Sequence, residues 1–498
     1  MKKIWVCMLL AGWQSFGAAP ALLDELHHDT SQPLAQMAGN RARQAASAAR
    51  VDANSRPPAT GSGLSVGVGF DGIPSDGAAA PDTSGAAGDK QFVQFVNFEF
   101  AVFDKATGAI IQGPLPGTTP WSGFGGPCEA GNPTKNSEPI AQYDKAAGRW
   151  VLAYPVLVAP YTYCVAISTT NDATGTYYRY SFELPAEDVP DAPKLAVWPD
   201  AYYVSFNLLH DGSSTAGLAV AYDRTNMLAG NTAEPAISFR VASQTNLLPS
   251  DFDGTVAPAS GEPNFYMNVG SASLNLFKFH ADFAHPANST FTGPTPLAIK
   301  SRPGYCSRAP GHCGNAVVLQ PSPGGLLDAF PDQLMYRLAW RNVGGVEHLV
   351  ANQTVIALLS NSPLASLRWY DITDPNSMPA VSQQGSVSDP LSGFWMASIA
   401  QDKNGDIALG FSASSLLLFP SIEFTGRLSS DPAGHMSSPQ FIVQGSGVQL
   451  TNFLWGAYSA MTIDPDDCTF WYTTEYIRTT GIAKWSTRIA SLRFPSCQ

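Results

Sequence analysis

The feature that most constrains this chain is a hairpin pattern that recurs along it. Each occurrence has an apolar strand, a tight polar turn that carries Asp, and a second strand of alternating apolar or aromatic residues. The clearest examples are VFDKATGAIIQG (102–113), QYDKAAGRWVLAY (142–154), VWPDAYYVSFN (197–207), AQDKNGDIALGFS (400–412) and TIDPDDCTFWYTTEY (462–476). Turns such as Lys-Asn-Gly-Asp and Pro-Asp-Asp have the chemistry of β-hairpins. The pattern therefore predicts an all-β fold built from repeated hairpins.

The spacing of the hairpins predicts how they are arranged. Seven innermost strands are expected to begin near Lys90, Glu138, Pro193, Asn264, Asp332, Phe394 and Trp455. Intervals of about 50 to 70 residues fit a four-stranded antiparallel unit with one enlarged loop. We predict a single β-propeller with seven four-stranded blades, and six as the fallback count, because closing the sheets into a ring removes their open edges. The early strand LSVGVGF (64–70) would complete the last blade.

A row of β-sandwich domains is the alternative architecture. Such domains would usually be separated by linkers, and no linker composition divides these units. Composition agrees with many short strands and turns, since charged residues make up 14% of the chain against about 25% in a typical soluble domain. The 44 Gly and 39 Pro residues point the same way.

The N-terminal region is expected to stand apart from the propeller. Residues 1–21 have a basic start, a short apolar run and small residues at Ala19 and Ala21, which is typical of a secretory signal peptide. Residues 22–62 are rich in Ala, Gln, Ser and Pro, and this composition predicts a flexible or partly helical segment. The predicted domain order is thus a signal peptide, this segment, and a propeller over 63–498, in a protein secreted to the periplasm or beyond the cell.

Charge limits the partners that the chain is expected to have. The formal net charge is -12, and no cluster of five or more basic residues occurs. Nucleic acid and anionic membrane surfaces are therefore unfavourable partners. No stretch after the leader is long and apolar enough to be a transmembrane helix.

The cysteines predict disulfides. Seven occur, and the signal peptide contains Cys7, so six remain. An even number in an exported chain favours disulfides over a metal site, and the chain has no CxxC motif. The preferred pairs are Cys306–Cys313, Cys468–Cys497 and, as the remainder, Cys128–Cys164.

Several segments resemble a group of secreted bacterial β-propellers of or near the sialidase superfamily. They are PDTSGAAGDKQFVQFVN (81–97), GFGGPCEAGN (123–132) with SEPIAQYDKAAGRWVL (137–152), TYYRYSFEL (176–184) with KLAVWPDAYYVSFN (194–207), and WGAYSAMTIDPDDCTFWYTTEY (455–476) with WSTRIASLRFPSC (485–497). The resemblance runs from about residue 65 to the end. It implies a fold and an extracellular location, and it supplies no reaction.

The chain departs from this group in two respects. The sialidase Asp-box, S-x-D-x-G-x-T-W, is absent from the sequence. Many similar sequences carry an acidic residue where this chain has Ala457. The second departure favours a protein that binds its ligand without turning it over.

Candidate site residues are those expected at the starts of the innermost strands, where the ligands of propellers usually bind. Carboxylates, cations and aromatic rings together suit a sugar, above all an acidic one. The predicted catalytic residues are Asp82, Glu138 and Tyr458, and the predicted ligand-binding residues are Lys194, Arg337, Trp395 and Trp455. In this hypothesis Asp82 and Glu138 are the paired carboxylates of a glycosidase, while Arg337 grips a substrate carboxylate.

Each assignment has a structural alternative. Asp82 and Glu138 would otherwise hydrogen-bond to loop amides at the rim, and Arg337 would form a salt bridge between blades. A sialidase-like Tyr–Glu pair would need Glu475 with Tyr458 or Tyr476, and the adjacent Glu475 and Tyr476 point to opposite faces of a strand. The stretch DKNGD (402–406) resembles the start of a calcium loop but lacks its distal Glu, so a turn is predicted there.

The function predicted from these residues is recognition or cleavage of an extracellular polysaccharide or glycoprotein at the mouth of the channel. The alternative is a non-catalytic binding or adhesion module that uses the same surface. No cofactor is expected, although calcium held by loop oxygens stays open. We expect a monomer.

Overall fold

A computed structural model describes residues 19–37, 63–75, 77, 80–132, 138–300, 316–331, 333–359, 362–451, 453–456 and 458–498. Over these ranges the regular secondary structure is almost entirely β-strand, with three short α-helices. None of the helices in this described part is long and apolar enough to cross a membrane.

The first half of the chain contains an N-terminal segment and three groups of strands. The segment contains β1 Ala21–Leu23, β2 Glu25–Thr30, α1 Leu34–Met37 and β3 Ser65–Pro74. The first group is β4 Ser84–Ala87, β5 Gln91–Val96, β6 Glu99–Asp104 and β7 Ile110–Pro116. After α2 Gly126–Ala130, the second group is β8 Ile140–Asp144, β9 Arg149–Val156, β10 Thr162–Ser168 and β11 Tyr177–Glu183. The third group is β12 Val189–Val197, β13 Ala201–His210, β14 Ser213–Asp223, α3 Arg224–Ala229 and β15 Ala236–Ala242.

Four more groups follow in the second half. The fourth is β16 Leu248–Phe252, β17 Asn264–Val269, β18 Ser273–His280 and β19 Thr290–Ala298, followed by the small pair β20 Ala316–Val318 and β21 Leu327–Asp328. The fifth is β22 Leu334–Val343, β23 Val346–Leu359, β24 Ser362–Thr373 and β25 Ala380–Val387. The sixth is β26 Gly393–Gln401, β27 Ile407–Ser414, β28 Ser421–Arg427 and β29 Gln440–Val443. The seventh is β30 Ala460–Ile463, β31 Thr469–Ile477 and β32 Trp485–Arg493.

The innermost strands of these groups contact one another in a cycle. Going round, β4 contacts β8, then β12, β16, β22, β26 and β30 follow in turn, and β30 contacts β4 again. A cycle of contacts is the arrangement of a ring and not of a row of separate sandwiches. The fold is therefore nearly all-β and propeller-like, with distant parts of the chain meeting around one axis.

The early strand β3 joins the last group, as the sequence predicts. It pairs antiparallel with β32, with Phe70 opposite Ile489 and Asp71 opposite Arg488. The sheet order is β3-β32-β31-β30, so the two ends of the ring share one sheet. This pairing covers edges that would otherwise be open to other chains.

The sheets are less uniform than the predicted four-stranded unit. In the described part of the chain, three larger sheets have four strands, two have five, and one has eight because β16 and β22 pair in parallel. The fifth strands are β1 on β15 and β2 on β11. The segment 22–62 was expected to be flexible or partly helical, but residues 22–37 lie mostly in β1, β2 and α1, while 38–62 fall outside the described residues.

Two of the predicted inner-strand starts belong to second strands instead. Lys90 precedes β5 and Asn264 begins β17, whereas the innermost strands there are β4 and β16. The reason is that β4 has the sequence SGAA, whose small side chains fit the crowded centre of the ring but give no apolar alternation. The start near Asp332 lies outside the described residues.

The Asp residues of the repeated pattern hold turns. After β8, the Asp144 carboxylate accepts a hydrogen bond from the Ala147 N–H at 3.1 Å. After β26, the Asp402 carboxylate accepts from the Asn404 N–H at 2.9 Å, so DKNGD is a turn as predicted. This carboxylate-to-amide bond explains why Asp recurs at this place.

The core lies between neighbouring sheets. Tyr163 of the second group meets Phe206 of the third edge to face, with ring centroids 5.1 Å apart. Trp369 of the fifth group is buried in one cluster with Phe411 of the sixth. Each such side chain contributes roughly 1.5–3 kcal/mol on burial, so the ring is held by contacts between its units.

Two of the three predicted disulfides are confirmed. Cys128–Cys164 joins α2 to β10, and Cys468–Cys497 joins the start of β31 to the chain end. Cys306 and Cys313 lie outside the described residues.

Candidate functional site

The innermost strands all begin at one face of the ring, which we call the top face. Asp82 precedes β4, Glu138 precedes β8, and Ala192 lies at the bulge of β12. All three have a left-handed backbone, with φ of 48°, 41° and 53°. This conformation costs on the order of 1–3 kcal/mol for a residue other than Gly, and such residues concentrate at functional sites.

Asn97, in the turn between β5 and β6, links the two predicted carboxylates. Its amide nitrogen donates to Asp82 Oδ2 at 2.6 Å and to the Ala80 carbonyl at 2.9 Å. Its amide oxygen accepts a hydrogen bond from the Glu138 N–H at 2.9 Å. Asp82 and Glu138 are 7% and 8% exposed, so both are buried side chains that still reach the surface.

Glu138 has a carboxyl group that favours its protonated form. Burial raises its pKa well above the ordinary value, and the neighbouring Asp191 and Asp82 carboxylates raise it further, while Lys194 opposes them. Glu138 Oε2 accepts a hydrogen bond from the Ala192 N–H at 2.7 Å. The carboxyl therefore contacts a backbone amide at the bulge of β12 and lies among other acids.

Lys194 and Tyr458 face these acids. The Lys194 ammonium donates to the Tyr458 hydroxyl at 2.7 Å and lies 3.9 Å from the centre of that ring. Burial lowers the pKa of Lys194 to about 8, against the opposing effect of Glu138, Asp191 and Asp82. Tyr458 donates to the Pro193 carbonyl at 3.0 Å, and burial raises its pKa. Tyr458 is therefore a neutral hydrogen-bonding group here, not an ionised nucleophile.

Two further acids lie at this place, and one of them, Asp191, was missed from the sequence. Asp191 precedes a β-bulge in β12, where Asp191 pairs with Asn207 and Lys194 with Ser205. Pro193 inside the strand was a usable signal, because Pro within a strand marks an edge or a bulge. Burial raises the pKa of Asp191.

Glu475 is the second further acid, which the sequence indicated only as the partner of a tyrosine. Its Oε1 accepts a hydrogen bond from the Gly456 N–H, and its Oε2 is buried without a hydrogen-bond partner among the described residues. Burial raises its pKa well above the ordinary value. The neighbouring Tyr476 points away and donates to Asp71 at 3.1 Å. Glu475 therefore belongs to the acids and not to a Tyr–Glu pair with Tyr476.

We call Asp82, Glu138, Asp191, Lys194, Tyr458 and Glu475 the top-face cluster. It brings together four of the seven site residues predicted from the sequence. The glycine at 456 leaves room for it, because a Cβ there would lie 2.9 Å from Glu475 Oε1 and 3.4 Å from the Asp82 nitrogen. Ala457 lies outside the described residues.

Arg337 lies apart from this cluster and holds three groups of strands together. Its guanidinium donates to Asp251 at 2.5 Å, to Asp253 at 2.6 Å and to the Met461 carbonyl at 2.7 Å. The side chain is 1% exposed. These partners occupy all three nitrogens of the guanidinium. Arg337 therefore forms a salt bridge between groups of strands, as in the structural alternative, and we leave it out of the candidate site.

Trp395 and Trp455 also differ from the predicted role of sugar platforms. They are 0% and 1% exposed, and their ring centroids lie 5.2 Å apart at an angle of 58°. The Trp455 indole N–H donates to the Ser412 hydroxyl at 3.1 Å. Both rings are packed into the core, and neither offers an open face to a ligand.

The described residues give no support to a metal site. No group of three or more His, Cys, Asp or Glu side chains within them could hold a metal ion. The top-face cluster has instead the composition of an acid–base site, with several carboxyl groups, one amine and one phenol.

Comparison with known proteins gives only distant structural likeness. No family profile and no curated protein matches the chain. Among solved structures, the BP39L lectin from Burkholderia pseudomallei is 10% identical with a TM-score of 0.41, covering 80% of this chain and 94% of the lectin. The WD40 domain of SCAP from fission yeast is 7% identical with a TM-score of 0.34, covering 82% of each chain. The exo-beta-1,3-galactanase from Phanerochaete chrysosporium is 11% identical with a TM-score of 0.28, covering 73% of this chain and 80% of that one. At these scores none of the likenesses carries an argument about function.

Proposed function

We propose that this chain is a secreted, monomeric, seven-bladed β-propeller that binds and hydrolyses an extracellular glycan at its top face. The observation that carries the proposal is the placement of Glu138 and Asp82 around one amide side chain, Asn97, beside Lys194 and Tyr458. The cyclic contacts of the innermost strands support the blade count. The two disulfides fit an oxidising location outside the cytoplasm.

The proposed reaction gives the two carboxyl groups different roles. Glu138, whose pKa is raised by burial, favours its protonated form and gives this proton to the glycosidic oxygen as that bond breaks. Asp82 serves as the second carboxylate, which either takes a proton from the attacking water or bonds to the sugar carbon first. Lys194 donates a hydrogen bond to a sugar hydroxyl, and Tyr458 positions the Lys194 ammonium.

Hydrolysis is tested with a panel of polysaccharides and aryl glycosides, by measuring new reducing ends. We expect release by the wild type and its loss in Glu138→Gln and Asp82→Asn. Glu183→Gln is the matched control, because Glu183 is an exposed acid at the end of β11. Equal release by all four proteins would contradict the assignment of the acids.

A non-catalytic binding module is the second candidate. It is favoured by the hydrogen bond from the Ala192 N–H to Glu138 Oε2, because an acid that holds a backbone amide has a structural role and not a catalytic one. In this case the wild type would bind a glycan without releasing reducing ends. Glu138→Gln would then retain that binding, since an amide oxygen can still accept the Ala192 N–H.

A further inference from the structure

A cavity of about 230 Å³ opens beside the top-face cluster, between the first and second groups of strands. Phe95 and Phe98 form one side, Tyr154 lies on the other, and Asn97 borders it. Asn97 is the side chain that also holds Asp82 and the Glu138 backbone. One amide therefore separates the cavity from the two carboxyl groups, so a ligand in the cavity would lie next to the proposed site of bond cleavage.

The walls of this cavity carry no charge. Its lining residues in the described chain are aromatic, small or amide-bearing, and none is Asp, Glu, Lys or Arg. The Asn132 amide is already used, because its nitrogen donates to the Pro155 carbonyl at 2.9 Å and its oxygen accepts from the Leu157 N–H at 2.7 Å. The Tyr154 hydroxyl donates to the Cys128 carbonyl. The cavity therefore offers apolar contact and shape more than free hydrogen-bonding groups.

Size and chemistry limit what the cavity can hold. Sites for drug-sized ligands have volumes of about 300–1,000 Å³, so this smaller space suits a single ring. Aromatic side chains favour a ring with an apolar face. A carboxylate placed there would lose its water with no cation to replace it, which is unfavourable.

From this geometry we infer that the cavity is the subsite for one neutral sugar ring of the glycan. The inference rests on the proposed function, and it makes the substrate a glycan with an uncharged unit beside the bond to be cleaved. An acidic sugar is excluded from this position, although the sequence alone favoured one at the site. The top-face cluster provides the charged groups, and the cavity provides the contact surface.

Saturation-transfer NMR with methyl pyranosides tests this inference without any need for turnover. The probes are neutral methyl hexopyranosides, a methyl uronoside and phenol. Wild type is compared with Ala130→Phe, which places a ring into the space from an exposed cavity residue, and with Thr118→Phe as a second filling variant. Ala106→Phe is the control, since Ala106 is an exposed alanine in the β6–β7 turn at the opposite face.

We expect neutral pyranosides to give signals with the wild type and with Ala106→Phe, and at least a tenfold weaker affinity with the filling variants. The inference would be overturned if the uronoside gave signals equal to those of the neutral sugars. It would also be overturned if phenol were the only probe that gave signals. Sugar binding that survives both filling variants, or no sugar binding by the wild type, would overturn it as well. If the cavity binds neutral sugars and no glycan is hydrolysed, the subsite stands and only the hydrolytic proposal fails.

Discussion

Lys194 donates a hydrogen bond to the Tyr458 hydroxyl at 2.7 Å although the two residues are 264 positions apart in the chain. Lys194 lies in the third group of strands and Tyr458 directly precedes the seventh, and these groups are not neighbours around the ring. Tyr458 returns the contact by donating to the Pro193 carbonyl at 3.0 Å. The pair therefore spans the axis at the top face and links opposite sides of the ring.

Removal of the Tyr458 hydroxyl is expected to destabilise the ring. Tyr458→Phe leaves both the buried Lys194 ammonium and the Pro193 carbonyl without this partner, at a cost of about 1–3 kcal/mol in the free energy of unfolding. Chemical denaturation measures the change. Tyr161→Phe, at a half-buried tyrosine near the outer part of the second group, is the control. A change no larger than that of the control would show that the contact across the axis is unimportant.

Glu138→Gln is expected to change the pH dependence of stability. The folded pKa of Glu138 is raised above its ordinary 4.5, so between that value and the folded pKa the native state binds one proton more than the unfolded state. Stability from this group is therefore full below about pH 4.5 and falls as pH rises through the folded pKa. The glutamine variant cannot lose a proton, so it should be more stable than the wild type at pH 7 and similar at pH 4.

Thermal melts of Glu138→Gln and wild type across this pH range provide the measurement. Glu183→Gln is the control, because that acid is exposed. A constant difference between Glu138→Gln and wild type at all pH values would contradict a raised pKa for Glu138.

Arg337→Met should be among the most destabilising single changes in the chain. It leaves the buried Asp251 carboxylate without its cation and Asp253 with Lys145 alone, and breaking a buried pair typically costs about 3–5 kcal/mol. Arg240→Met is the matched control, because Arg240 pairs with Asp188 through a side chain that is half exposed. Urea unfolding should show a large fall for the first variant and little change for the second, and similar falls would argue against the structural role of Arg337.

Deletion of residues 1–33 should expose two sheet edges. The removed strands β1 and β2 cover β15 and β11, and Asp29 forms hydrogen bonds to Arg179 at 2.6 and 2.7 Å. Uncovered edges pair readily with other chains. We expect concentration-dependent association by light scattering and a lower melting temperature, compared with the chain from residue 22 onward. A stable monomer after the deletion would contradict this role of the N-terminal strands.

The sequence predicted the fold better than it predicted the edges of the sheets. Hairpin turns with Asp and the closing strand β3 have local signatures, and each could be read from a short stretch. The strands β1 and β2 have none, because Ala21 pairs with Ser238 only through an encounter of distant segments. Their composition, ALL and ELHHDT, gives no strong alternation.

The sequence indicated the residue types of the candidate site but not the burial or the hydrogen-bond partners of each residue. Asp82, Glu138, Lys194 and Tyr458, which were named from their positions at or near inner-strand starts, lie together in the top-face cluster. Position in the sequence did not distinguish these four residues from Arg337, Trp395 and Trp455, because tertiary packing decides which side chains are buried and which partners they contact. Asp191 was missed because a bulge alters the register of β12, and Glu475 was considered only as the partner of a tyrosine because it lies within β31 and not at an inner-strand start.

The most direct test of the account is the rate at which Glu138→Gln releases reducing ends from the best substrate of the wild type, with the two folds matched by circular dichroism. Loss of a general acid lowers a rate by roughly 100- to 10,000-fold. We predict a fall in that range for Glu138→Gln and an unchanged rate for Glu183→Gln. A Glu138→Gln protein that hydrolyses the substrate at the wild-type rate would contradict the central claim.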